Sequence, residues 1–297
     1  MKDYSNGFSA DRGLFGLAAD SKVNRNFIWF SIFAYMVMIA GGGLVGIATE
    51  IARISGVSEY WTTFFDLVLG FGTISLLVYL IVRFREKRLF RDIGFQKEFV
   101  GNYFKGFAVG ILLMLICISL MTVFGGMELV INTPNTGIKV LPSVLIILFG
   151  WIIQGGTEEV LTRGWMLPLL GRRYNVPFAI GVTSIFFMIL HSGNNGMTLM
   201  PILNLVLFGI FAALFVVNEE SIWGICGMHS AWNWIQGNIL GISVSGTDPV
   251  GGSLLKFVPK GNEILSGGIF GVEGSIVCTL VFLLASIYLI KIIKEEK

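Results

Sequence analysis

The chain is poor in charge, in histidine and in proline. Asp, Glu, Lys and Arg make up 13% of its 297 residues, about half of the roughly 25% usual in soluble domains. With so much apolar surface this excludes a disordered chain, and it argues against a water-soluble enzyme with a single core. A net charge of +2 is too small to attract nucleic acid, and none is expected as a partner. The three cysteines, Cys117, Cys226 and Cys278, lie in separate apolar runs with no paired spacing. That pattern excludes a disulfide framework or a cysteine zinc site and reads as buried small hydrophobes. Seven prolines against 38 glycines fit bilayer-spanning helices rather than a collagen-like or low-complexity chain. Strand alternation is absent, which excludes a membrane β-barrel. There is no HExxH, and no serine or cysteine nucleophile motif.

What remains is a chain that is 54% hydrophobic with a mean hydropathy of +0.78, the composition of an all-α polytopic membrane protein. A bilayer core of roughly 30 Å needs about 20 apolar residues per helix. Eight segments meet or approach that length, at about 27–48, 62–84, 104–126, 141–160, 176–192, 199–217, 221–240 and 269–291. The expected organisation is a cytoplasmic segment 1–26, an eight-helix bundle over 27–292 and a tail 293–297. With the N-terminus inside, four Lys and Arg (Arg53, Lys139, Lys256, Lys260) fall outside and the other 17 fall in inner regions. The positive-inside rule then places both termini in the cytoplasm. The first apolar stretch runs through Gly41–Gly43 to Ala48 with no small-residue cleavage site, so it reads as a retained helix rather than a signal peptide. Its Gly42-x-x-x-Gly46 spacing is open to a close helix contact or to chance. The charged stretch 83–97 reads either as an interfacial helix or as a solvated inner loop. No internal repeat of the kind transporters use is evident.

Ionisable groups within spans cost at least a few kcal/mol, so each is a functional candidate. Both histidines of the chain, His191 and His229, fall in or at the end of spans. The fourth segment carries Glu158 and Glu159 side by side, followed by Arg163. Glu159 and Arg163 are i,i+4 neighbours that can pair, while Glu158 is rotated by about 100° and lacks that partner. A structural ion-pair cluster is an alternative, but it leaves Glu158 without a purpose. Phe187 lies one turn beneath His191, and Asn233 one turn from His229, as a second donor. By helical rise Glu158 and His191 lie roughly 21 and 22 Å from the inner ends of their segments, and His229 about 13 Å, shallower by about two turns.

A carboxylate and two imidazoles on separate helices can activate water in two ways. Glu158 can act as general base, with His191 orienting and deprotonating the water and His229 and Asn233 donating to the oxyanion. Alternatively Glu158, His191 and His229 form a His₂Glu zinc set, with Glu159 as base or as support. The residues leave this choice open. Glu158-Glu159-x-x-x-Arg163, Phe187-x-x-x-His191 and His229-x-x-x-Asn233, in this order on successive spans, resemble the three motifs of the CAAX-protease and bacteriocin-processing (CPBP, or Abi) intramembrane endopeptidases. The resemblance covers about residues 85–240, including Arg91-Asp92-Ile93-Gly94-Phe95.

The resemblance implies an eight-helix intramembrane protease with a cavity opening to the cytoplasmic side. It implies Glu158 as catalytic glutamate, His191 as its partner, and His229 and Asn233 as oxyanion donors. Glu159 and Arg163 would support the geometry. Eukaryotic members cleave the C-terminal tripeptide from prenylated CAAX proteins, and bacterial ones serve peptide maturation, bacteriocin self-immunity and signalling. The expected partners are a membrane-associated peptide and the bilayer, in the plasma membrane of a prokaryote. Competing readings are a non-catalytic immunity or peptide-binding protein, and a transporter that would string carboxylates such as Asp66 and Glu273 across depths.

Overall fold

A computed structural model describes residues 8–11, 13–19, 21, 26–131 and 133–295. All eight expected segments are helical, and the chain is an all-α integral membrane protein. In chain order they are α1 (Phe27–Ile54), α2 (Glu59–Arg85), α3 (Phe99–Val123), α4 (Ile138–Arg173), α5 (Val176–Leu190), α6 (Leu199–Glu219), α7 (Trp223–Trp234) and α8 (Ile276–Glu295). Six are long and apolar enough to cross a bilayer. The fifth has 15 residues, and the seventh has 12 before a π-helical turn Ile235–Ile239 extends it. Their starts are dictated locally. Side chains of Asn26, Glu98 and Asn175 accept the exposed N–H groups of Trp29, Gly101 and Phe178, satisfying donors that a helix leaves unpaired at its first turn.

Large apolar side chains on the outer helices, such as Trp29, Leu44, Leu112 and Leu284, point outward, as lipid-facing surfaces require. The seventh helix is the reverse: Gly224 through Asn233 are all buried. It reaches the centre because glycines strip the interface with α3. A methyl on Gly106 would collide with the Gly224 carbonyl, and one on Gly227 with the Tyr103 carbonyl. This is small-residue helix contact, and it fixes the helix that carries His229.

The helix ends alternate between two faces. On one, Lys97 Nζ donates to the Glu219 carbonyl at 2.7 Å and Ser221 Oγ to the Gly94 carbonyl at 3.1 Å. This face carries Arg83, Arg85, Lys87, Arg88, Arg91, Lys97, Lys105, Arg172, Arg173, Lys291 and Lys294. On the other, β1 (Met127–Leu129) pairs antiparallel with β2 (Phe257–Pro259), Tyr60 Oη donates to the Ser143 carbonyl at 2.9 Å, and Asn194 Nδ2 donates to the Ser245 carbonyl at 2.8 Å. Among the described residues this second face holds only Arg53, Lys139, Lys256 and Lys260 as cations.

Several readings that the sequence leaves open are resolved, and the start of the last helix is corrected. The 83–97 stretch is not an interfacial helix. The second helix stops at Arg85, and a single 3₁₀ turn Phe90–Ile93 follows. Two of its charges turn inward, Glu86 and Arg88, buried and paired at 3.0 Å with Trp165 Nε1 donating to Glu86 at 2.6 Å, while Arg83, Arg85, Lys87, Arg91 and Lys97 stay exposed. Gly41, not Gly42 or Gly46, makes the close contact, against Ile74 of α2. The last helix begins at Ile276, leaving 269–275 as a connection in which Glu273 is buried. Asp66 is a polar helix contact, accepting from Thr49 at 2.6 Å. The expected N-terminal segment 1–26 and tail 293–297 lie partly outside the described residues.

Candidate active site

The fourth helix is α-helical through Glu159 and then opens into a π-helical stretch, Val160–Met166. Such irregularities inside helices frequently sit at functional sites. Glu158 faces a cavity of about 250 Å³, and Glu159 faces away from it. Arg163, fully buried, reaches Glu159 Oε1 with Nη1 at 3.1 Å and the Gly209 carbonyl with Nη2 at 3.3 Å. Its guanidinium lies 4.6 Å from the Phe187 ring centre and 5.8 Å from that of Phe208, so cation–π contacts with two helices add to the ion pair.

Both imidazoles are locked through Nδ1. His191 closes α5, and its Nδ1 lies 2.9 Å from the Phe187 carbonyl. A carbonyl only accepts, so this Nδ1 carries the proton and Nε2 is presented to the cavity. His229 places Nδ1 2.8 Å from Glu159 Oε1, so the ion pair behind the site also orients the second ring. Both Nε2 atoms lie 3.8 Å from one oxygen, Glu158 Oε2, and no protein hydrogen bond reaches that oxygen. The Phe187 ring packs 4.6 Å from His191 and Phe208 packs 5.0 Å from His229, walling the imidazoles from lipid.

The depth mismatch expected for His229 is absent because α7 starts below the surface. Ile222 N donates to the Gly94 carbonyl at 3.0 Å, and Ile222 is fully buried. At the crossing, a methyl on Gly155 would meet Ser230 N at 3.1 Å, so the two helices nearly touch beside His229.

Glu158, Phe187, His191, His229 and Asn233 thus line one cavity, with Glu159 and Arg163 directly behind it. Two features were not singled out from sequence. Gln154 donates to Glu158 Oε1 at 2.5 Å and accepts from Asn233 Nδ2 at 2.8 Å. Glu158 is therefore half-satisfied rather than wholly free, and Asn233 has one N–H engaged. The i,i+4 spacing of Gln154 and Glu158 was the available signal. The second feature is the 244–250 loop, which walls the cavity together with Glu273. The Glu273 carboxylate gathers Trp232 Nε1 at 3.1 Å, Gln236 Nε2 at 2.6 Å and the Ser245 N–H at 3.3 Å.

Glu158, His191 and His229 have the donor types of a His₂Glu zinc set, but as placed they stand wider apart than bound ligands. Among the described residues no three His, Cys, Asp or Glu side chains are grouped to hold a metal. Two ligands about 2.0 Å from a tetrahedral zinc stand roughly 3.3 Å apart, closer than the 3.8 Å separations found here.

Comparison with curated proteins returns no match. Residues 140–235 match the family model Rce1-like, type II CAAX prenyl endopeptidase. This stretch runs from the start of α4 to the end of α7 and contains all three motifs. Over that stretch the chain carries the signature of the CPBP family, and the matched family is one of CAAX-type intramembrane proteases.

Proposed function

We propose that the chain is an intramembrane endopeptidase that hydrolyses a peptide bond of a membrane-associated substrate with water activated by Glu158. The observation that carries this reading is the meeting of three cavity-facing atoms around one point: Glu158 Oε2 and the Nε2 atoms of His191 and His229. With His191 Nδ1 donating to a carbonyl and that ring neutral, Glu158 Oε2 and His191 Nε2 are acceptors. A water molecule offers two donors to such a cluster, and its oxygen lone pairs are left to face a carbonyl carbon.

The two histidines have unequal surroundings. His191 is tied to a neutral carbonyl, which suits a neutral ring accepting a hydrogen bond from water. His229 Nδ1–H donates to the Glu159 carboxylate, and as an imidazolium the ring also donates from Nε2. In that form Glu158, Glu159, Arg163 and His229 sum to zero charge, a requirement for so many buried ionisable groups. Glu158 takes a proton as the water oxygen bonds to the carbonyl carbon. His229 Nε2–H and the second N–H of Asn233 support the oxyanion. Glu158 then delivers its proton to the amine as the C–N bond breaks, leaving a carboxyl and an amino terminus. Gln154 keeps Oε1 occupied, so Oε2 is the basic oxygen.

The test compares peptides released from membranes containing the parental protein or Glu158→Gln. Cleavage products should be present with the former and reduced at least about 100-fold with the latter, the range of a lost general base. Equal products from both would overturn the reading. A purely peptide-binding protein would give no products from either.

A further inference from the structure

The cavity is not centred between the two faces. Most of its helix-borne lining comes from the half of the bundle next to the sparsely charged face: Thr63 and Leu67 early in α2, Asn204 early in α6, Asn233 late in α7, and His191 at the end of α5. The wall nearest that face is the 244–250 loop. Asp248, Pro249 and Val250 also line a second, polar basin of about 670 Å³, together with Glu59, Asn135 and Lys256. That loop is thus a partition one segment thick, with Gly246 at φ +80° within it and Gly251 at φ +81° just after it. Toward the basic face Arg163, Trp165 and Met166 are fully buried, and none of them lines the cavity. An apolar groove lined by Phe95, Phe99, Trp223 and Cys226, which extends to Leu148 and Trp234 in the other half, includes none of the site residues.

Charge sets which face is which. The described basic face holds 11 cations against four on the other, and loops rich in Lys and Arg stay in the cytoplasm. We infer that the catalytic cavity opens toward the extracytoplasmic side and takes an exported or membrane-anchored peptide presented from there, not a lipidated tail arriving from the cytoplasm. This rests on the proposed protease function and departs from the cytoplasmic opening that the family resemblance implies. The polar groups near the partition, Asn194, Ser245 and Asp248, suit a hydrated peptide backbone entering from water.

The experiment is thiol labelling of sealed right-side-out and inside-out membrane vesicles with a membrane-impermeant charged maleimide. The native cysteines are buried, so the parental protein supplies the background. Thr247→Cys reports the partition, Lys260→Cys a second site on the same face, and Lys97→Cys the basic face. Positions 247 and 260 should label in right-side-out vesicles and lose labelling in inside-out ones, with position 97 reversed. If 247 misfolds, 260 against 97 still decides sidedness. Labelling of 247 or 260 only in inside-out vesicles, or of 260 and 97 from the same side, overturns the inference. Glu158-dependent cleavage in detergent, where no sides exist, is measured in parallel. Its presence with reversed labelling removes only the sidedness, and its absence with the expected labelling removes only the protease function.

Discussion

Glu158 and Glu159 are adjacent and chemically identical, yet their surroundings give them different tasks. Glu159 is held between Arg163 and His229, and Glu158 is held on one oxygen and bare on the other. Removing Arg163 would leave a buried carboxylate short of its counter-charge, which costs about 3–5 kcal/mol. Arg163→Ala should therefore lower thermal stability as well as activity. An unchanged melting temperature would count against the pairing. Gln154 acts through Glu158 and Asn233 rather than on the substrate. Gln154→Ala should lower kcat by about 100-fold, the size of effect that slight misplacement of a reacting group produces, and leave KM and the melting temperature nearly unchanged. A change confined to KM would assign Gln154 to substrate binding instead.

At the scale of elements, the motif residues were legible because the helical period puts i and i+4 on one face, so Phe187 with His191 and His229 with Asn233 could be paired before any coordinates. Gln154 obeys the same period but carries no charge to mark it. The 241–275 connection has no periodicity to read. Its course depends on glycines with left-handed backbone, such as Gly246 and Gly251, and on a carboxylate, Glu273, that gathers donors from α7 and from the loop itself. Hydrogen bonds to charged groups contribute about 1.5–3 kcal/mol each. Glu273→Leu should therefore free the loop, read as faster proteolytic nicking within 244–250 with the rest of the chain intact. Nicking at the parental rate would show that the loop is held by other contacts. The α3–α7 contact is tighter still. Gly227→Val would drive a side chain into the Tyr103 carbonyl and should cost about 1–3 kcal/mol or more, lowering both the melting temperature and the yield of folded protein. A variant with parental stability would contradict the close approach.

Across the whole molecule, composition alone announced a helical membrane protein, and the lengths of apolar runs located all eight helices. What it could not supply was the relative depth of the functional groups, because helix rise counts from a helix end and α7 ends inside the protein. The structure brings both Nε2 atoms to the same 3.8 Å from Glu158 Oε2, the meeting on which the proposed metal-free activation of water rests. Chelator treatment of the purified protein should leave its activity unchanged, and one zinc per active chain by elemental analysis would contradict this. The most direct measurement is the turnover of one identified cleavage product by purified protein and by Glu158→Gln at matched melting temperature. The account predicts a loss of at least about 100-fold in kcat for the variant. Parental turnover in a folded Glu158→Gln protein would contradict it.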